Sequence, residues 1–121
     1  MKIRIKGNSL RLRLSQTELK TFSEKMLCSD QISFSRDHSL EYILDIGPDF
    51  SAEFHNNKIR VSITKEAAQQ WTQTDEVSIK HDIYIDDTQS LMLLIEKDFQ
   101  CLTVREGEDE SDNFPNPNTH C

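Results

Sequence analysis

The chain has 121 residues, a formal net charge of −7 at pH 7, three glycines and three prolines. That length fits one domain of ordinary size, and the composition argues against collagen-like or Gly-rich low-complexity material. No apolar run approaches the roughly 18 residues that a membrane span needs, and no apolar stretch typical of a targeting signal follows the basic start, so the cytoplasm is the expected location.

Charge is distributed unevenly along the chain. Residues 1–25 sum to +5, and the other residues sum to −12. A chain polarised in this way can present a basic face to a polyanion while its net charge keeps it soluble. The same basic residues are also consistent with the solvated faces of two strands, and both interpretations stay open.

The N-terminal elements are predicted from alternation and capping. Residues 2–6 and 10–14 alternate apolar with mostly basic side chains, which predicts two half-buried strands joined at Gly7-Asn8-Ser9. Ser15 and Glu18 have the spacing of a capping box. A helix is therefore expected from Ser15 to about Met26, with its apolar face formed by Leu19, Phe22 and Met26.

The same reasoning places the later elements. Alternating residues predict strands and hairpins, a hydroxyl residue predicts a second helix cap, and Gly-Pro-Asp at 47–49 breaks the chain. The predicted strands cover residues 31–35, 40–46, 50–54, 59–63, 77–85 and 91–97, with a helix near Lys65 to Thr72 capped by Thr64, a break at Cys28-Ser29-Asp30, and turns at Asn56-Asn57 and 86–89.

The two halves of the chain resemble each other. The segment from Asn8 to Ser15 matches the segment from Asn57 to Thr64 at an offset of 49 residues. After the helix, residues 30–34 are matched with 75–79 at an offset of 45, and residues 39–42 with 90–93. A half of this size cannot bury its own apolar face, so the two should pack together.

This repeat predicts an α+β, mostly β domain with pseudo-twofold symmetry. The domain should span residues 1–100 as two strand-helix-hairpin repeats, about 1–47 and 50–98. Residues 101–121 form an acidic tail containing Pro and Asn, which is expected to pack on the domain or to be mobile.

The second half, from Ile59-x-Val61-x-Ile63-Thr64-Lys65-Glu66 through Asp75-x-Val77-x-Ile79, resembles the AbrB-like swapped-hairpin domains. Many members of that family are transcriptional regulators or antitoxins in which two copies interlace. The resemblance implies a covalent tandem of such a dimer and a regulatory, DNA-binding role. The chain has Thr64 where the family usually has Pro, and Ser29 and Thr74 where it usually has Gly.

The whole chain also resembles a small family of uncharacterised bacterial proteins, a domain of unknown function. The similarity is carried by the opening residues 1–9, by residues 95–102, and by Glu108-Asp109-Glu110 with Phe114-Pro115-Asn116-Pro117. This second resemblance implies no activity.

Basic side chains on strands can neutralise phosphates, which makes duplex DNA a candidate partner. Arg11 and Arg60 occupy equivalent repeat positions, so a pseudo-twofold is expected to place both on one face. A protein-interaction or small-ligand-binding module without a nucleic-acid role is the alternative, and the oligomeric state is left open. The candidate nucleic-acid-binding residues are Lys6, Arg11, Arg13, Lys58, Arg60 and Lys65.

No catalytic residue, metal site or cofactor is predicted, and the protein is expected not to be an enzyme. With three glycines, no phosphate-cradling loop or nucleophile elbow can be written. Cys101, His120 and Cys121 lack the spacing of a zinc site. The acidic tail could cover the basic N-terminal face, in which case deleting residues 106–121 should strengthen polyanion binding.

Overall fold

The computed structural model describes residues 1–99 and 112–115. Eight strands and two helices follow one another in this part of the chain, in two similar series. Their bounds are β1 Lys2–Lys6, β2 Ser9–Leu14, α1 Gln16–Lys25, β3 Leu27–Ser35, β4 His38–Ile46, β5 Ser51–His55, β6 Lys58–Ile63, α2 Lys65–Gln73, β7 Ser78–Asp86 and β8 Gln89–Lys97.

The strands form two four-stranded sheets. The first sheet has the order β1-β2-β8-β7, and the second has the order β3-β4-β6-β5. In each sheet two antiparallel hairpins meet through a parallel central pair, β2 with β8 or β4 with β6. Each sheet therefore takes one hairpin from each half of the chain, and the halves interlace.

The element order confirms a mostly β chain with two helices and corrects the predicted offset of the hairpins. β1, β2 and α1 precede β5, β6 and α2 by 49 residues, but β3 and β4 precede β7 and β8 by 51, not 45. The reason lies in the connections after the helices. Met26, in the left-handed conformation at φ 60°, leads directly from α1 into β3, whereas residues 74–77 separate α2 from β7. The counterpart of Asp30 is consequently His81 and not Asp75.

Strand bounds differ from the prediction mainly at β3. The predicted break at Cys28-Ser29-Asp30 lies inside this strand, which starts at Leu27 because its pairing with β4 continues to Leu27 opposite Asp45. β4 and β8 also begin two residues before their predicted starts, at His38 and Gln89. Hairpin pairing thus extends the strands past the point where alternation ends.

Backbone hydrogen bonds at the ends of the parallel pairs are repeated in both sheets. The Gly47 amide donates to the Ile63 carbonyl at 2.9 Å, and the Asp98 amide donates to the Leu14 carbonyl at the same distance. These pairs are related by the same offsets of 51 and 49 residues. The two sheets are therefore equivalent in register as well as in strand order.

One apolar core lies between the inner faces of the two sheets and the helices. Phe22 of α1 and Trp71 of α2 occupy equivalent positions, are both fully buried, and have ring centroids 6.3 Å apart. The Trp71 indole donates to the Val77 carbonyl at 3.0 Å, which satisfies its buried N–H group. The strands contribute Leu10, Leu12, Leu14, Leu44, Val61, Ile63, Leu93 and Ile95.

Both predicted helix caps are present. The Ser15 hydroxyl accepts from the Glu18 amide, and the Glu18 carboxylate accepts from the Ser15 amide, which completes the capping box. Thr64 caps α2 by accepting from the Ala67 amide. Met26 was predicted on the apolar face of α1 but is its C-cap and is 40% exposed, because its left-handed backbone turns the chain toward β3. No helix of residues 1–99 and 112–115 is long and apolar enough to cross a membrane.

Residues 112–115 return to the N-terminal end of α1. The Asp112 carbonyl accepts from the Gln16 amide at 3.0 Å, and the Phe114 amide donates to the Asp98 carbonyl at 2.9 Å. The Phe114 ring packs against Phe99 with centroids 5.6 Å apart. This short segment therefore joins the end of β8 to the start of α1.

Candidate nucleic-acid interface

The outer face of the first sheet carries a concentration of basic side chains. Along β2 the leucines are buried and the intervening residues point outward, and β1 and β7 present the residues paired with those outward positions. We call this surface the basic face. Its acids are Asp82 and Glu96, and its bases are Lys2, Arg4, Lys6, Arg11, Arg13 and Lys80.

Like charges stand directly opposite each other on β1 and β2. Arg4 is the cross-strand partner of Arg11, and Lys2 is the partner of Arg13. Directly opposed like charges destabilise an antiparallel pair. The arrangement is therefore unfavourable for folding unless an anion compensates for it.

Acids within the fold compensate for part of this charge. The Arg13 Nε atom donates to Glu96 Oε1 at 2.6 Å, and the Lys2 Nζ atom lies 2.9 Å from Asp98 Oδ2. Arg11 Nε is 3.6 Å from the Glu96 oxygen that Arg13 already holds. Arg11 is thus only partly neutralised.

Arg4 and Lys6 carry the uncompensated charge. Over residues 1–99 and 112–115, no salt bridge or hydrogen bond involves either side chain, and both residues are exposed. Together with Ser9 and Arg11 they line a shallow groove of about 170 Å³ on the basic face. Three cations and a hydroxyl at one groove form a surface suited to an anion.

The equivalent face of the second sheet has the opposite character. Arg60 Nη1 donates to Asp45 Oδ2 at 2.6 Å, and Glu53 is the cross-strand partner of Arg60. Lys58 Nζ lies 3.8 Å from Glu41 Oε1. Each base on β6 therefore has an acid beside it.

The predicted site residues are divided among three places. Lys6, Arg11 and Arg13 lie on the basic face, Lys58 and Arg60 lie on the outer face of the second sheet, and Lys65 is exposed in the first turn of α2. The expectation that Arg11 and Arg60 share one face is wrong. The interlaced topology puts β2 in the first sheet and β6 in the second, so equivalent positions lie on different sheets.

Three basic residues of this face were missing from the prediction: Lys2, Arg4 and Lys80. The first two belong to the same alternation as Lys6, so extending the prediction to every outward residue of the first strand would have found them. Lys80 joins the face only through the pairing of β7 with β8 and of β8 with β2, where both Lys80 and Arg11 have Leu94 as partner. No local sequence signal records that pairing.

A second polar cluster lies near the start of α1. The Met1 nitrogen contacts Glu18 and is 3.0 Å from Asp30 Oδ2. Burial alone would raise the pKa of Asp30, but the Gln31 amide and the Met1 nitrogen hold that pKa below its ordinary value. The nearby Asn113 amide nitrogen is buried without a hydrogen-bond partner. Most of these groups neutralise one another, so the cluster is a structural joint between β1, α1 and β3.

The described residues offer no metal centre or reactive thiol. No group of three or more His, Cys, Asp or Glu side chains in residues 1–99 and 112–115 could hold a metal ion. Cys28 is buried, and burial raises the pKa of its thiol, which disfavours the nucleophilic thiolate. Cys101, His120, Cys121 and the acids at 106–110 lie outside the described residues, so the predicted covering of the basic face by the tail stays a prediction.

Comparison with known proteins identifies the family. Residues 1–118 match the model of a family of unknown function, DUF7009. The chain belongs to this family. No curated protein and no solved structure matches the chain. The resemblance to a domain of unknown function is thereby confirmed, and the family carries no stated activity.

Proposed function

We propose that this DUF7009 protein is a non-enzymatic module that binds nucleic acid through the basic face. One observation carries the proposal. Arg4, Lys6 and Arg11 are clustered with little or no compensation from acids, whereas the equivalent positions Glu53, His55 and Arg60 include an opposite-charge pair.

The chemistry of the face suits a phosphate backbone. Lysines and arginines that neutralise phosphates release condensed counterions, which gives affinity without base recognition. The rest of the molecule is acidic and repels the same polyanion, so a nucleic acid should approach with one orientation. Because only one of the two equivalent faces is basic, the proposed contact is one-sided and does not use the pseudo-twofold.

We also infer that the two halves form a tandem of AbrB-like swapped hairpins, and that the protein is regulator-like in this sense. The interlaced strand pairing and the repeated hydrogen bonds of Gly47 and Asp98 support this inference. The basic face would then be a feature that one half has kept or gained and the other lacks.

Fluorescence anisotropy with a labelled random-sequence duplex, titrated at low and moderate salt, tests the function. We expect binding that weakens steeply with salt and that falls by about tenfold or more in Arg4→Ala/Arg11→Ala. The matched control is Lys58→Ala/Arg60→Ala, which removes two cations from the second sheet and should bind as the parent protein does. Absence of binding at low salt, or equal loss in both variants, would contradict the proposal.

A protein-interaction role is the second candidate, and exposed apolar residues favour it. Ile5 and Phe54, at equivalent positions, are 63% and 68% exposed, and Phe34 is also 68% exposed. Exposed apolar side chains of this size are common at protein interfaces. If they mediate self-association, the sedimentation coefficient should rise with concentration and should stop rising in Phe34→Ser/Phe54→Ser.

A further inference from the structure

The basic face contains one position where the electrostatics of folding are unfavourable. On the strands β1 and β2, the pair Lys2 and Arg13 is relieved by Asp98 and Glu96. The pair Arg4 and Arg11 has only the shared Glu96 at 3.6 Å from Arg11. Lys6 follows on the same side, opposite Ser9. The unrelieved charge therefore coincides with the groove of Arg4, Lys6, Ser9 and Arg11.

The other half of the chain shows that the fold does not require this arrangement. At the equivalent cross-strand position Glu53 stands opposite Arg60, and Arg60 also binds Asp45. The same strands, turn and register are thus built with opposite charges facing each other. A repulsive pair that the fold does not need is a mark of a functional position.

The geometry points to a single-phosphate site in this groove, with Arg4, Lys6 and Arg11 as charged donors and the Ser9 hydroxyl as a neutral donor. This inference rests on the proposed function and names the chemical group that the face recognises. A guanidinium offers several N–H donors in a planar fork, so Arg4 and Arg11 suit a tetrahedral phosphate oxygen set better than lysines would. The phosphate comes either from a nucleic-acid backbone or from a free phosphate ion.

A substitution in the groove should move stability and binding in opposite directions. Arg4→Glu copies the charge pattern of Glu53 and Arg60, so it should raise the midpoint of urea unfolding in phosphate-free buffer. The same change should weaken phosphate binding by roughly tenfold or more, because a cation is replaced by an anion. Arg4→Gln is the neutral companion and should give smaller effects of the same signs.

The mirrored substitution is the control. Glu53→Arg places two guanidinium groups opposite each other in the second sheet, so it should lower the unfolding midpoint and leave phosphate binding in the groove of the first sheet unchanged. A purely structural role for Arg4 would not predict that Arg4→Glu gains stability while losing ligand.

Two-dimensional amide NMR of the full chain, titrated with inorganic phosphate and separately with a short duplex at matched ionic strength, distinguishes the sources. Shifts of the residue 4–11 amides with both ligands, lost in Arg4→Glu, support a backbone phosphate. Shifts with inorganic phosphate alone support the groove and contradict the nucleic-acid function. Duplex binding that leaves these amides unshifted overturns the groove while the function stands, and no shift with either ligand overturns both.

Discussion

At the scale of single residues, charge and conformation differ between positions that the fold makes equivalent. Arg4 and Glu53 are both outward residues of edge strands and are both opposite an arginine. Their opposite signs therefore reflect what each surface meets and not what each strand needs to fold. Asn56 and Asn57, by contrast, have φ of 52° and 60°, a left-handed pair that a tight hairpin requires.

Asp112 is a residue whose protonation should control a local contact. Its carboxylate accepts from the Thr17 hydroxyl at 2.9 Å and from the Thr17 amide at the start of α1. Hydrogen bonds with the Ser15 and Thr17 side chains hold the pKa of Asp112 below its ordinary value. Because the folded-state pKa lies below the unfolded value of about 3.9, this contribution to stability is complete above that pH and is lost as pH falls through the lowered pKa.

Amide NMR between neutral and acid pH measures this contact. The Thr17 amide signal should move in acid as the Asp112 carboxylate takes up a proton, with a midpoint below that of an exposed aspartate. Asp112→Asn should remove the transition at Thr17. A Thr17 signal that titrates unchanged in that variant would show that another carboxyl group is responsible.

At the scale of elements, the two helices begin in the same way but are not equally well capped. α1 has a reciprocal capping box between Ser15 and Glu18, whereas α2 has only the Thr64 hydroxyl on the Ala67 amide. Unsatisfied amide groups at the first turn are the main local cost of starting a helix. Each cap therefore fixes the residue at which a strand gives way to a helix.

Replacing the cap of α1 should have a measurable cost. Ser15→Ala removes the acceptor for the Glu18 amide and should reduce the free energy of unfolding by about 1 kcal/mol. Urea unfolding followed by far-UV circular dichroism gives the difference. Ser23→Ala, at an exposed position within the same helix, should change stability little, and a loss as large as that of Ser15→Ala would contradict the capping explanation.

At the scale of the whole molecule, the interlaced sheets make the two halves mutually dependent. Neither half contains a complete sheet, since each four-stranded sheet needs a hairpin from the other half. Phe22 of one half and Trp71 of the other also meet in the core. Stability should therefore belong to the assembled pair and not to either half.

Cutting the chain at the exposed connection before β5 tests this dependence. Fragments 1–48 and 49–121 should each lack dispersed amide signals as monomers, and mixing them in equal amounts should restore the spectrum of the intact chain. Strand pairing across the halves is the physical reason, because the parallel β2–β8 and β4–β6 ladders cannot form within one fragment. A fragment that folds as a monomer would contradict the interlaced arrangement.

Much of the local structure followed from the sequence alone. Alternation located the strands, the hydroxyl residues at 15 and 64 located both helix starts, and the basic N-terminal segment already contained most of the basic face. These features depend on residues a few positions apart, and such short-range patterns are written directly in the order of the chain.

Only the tertiary structure decided which strands share a sheet. The alternation in β2 and β6 is the same, yet the pairing with β8 and β4 separates Arg11 from Arg60 and brings Lys80 onto the basic face. The hairpin offset of 51 also depended on that pairing, because the connection after α2 is longer than the one after α1. Partner choice between distant strands is set by burial of the common core, and a local pattern of apolar and polar residues does not specify the partner.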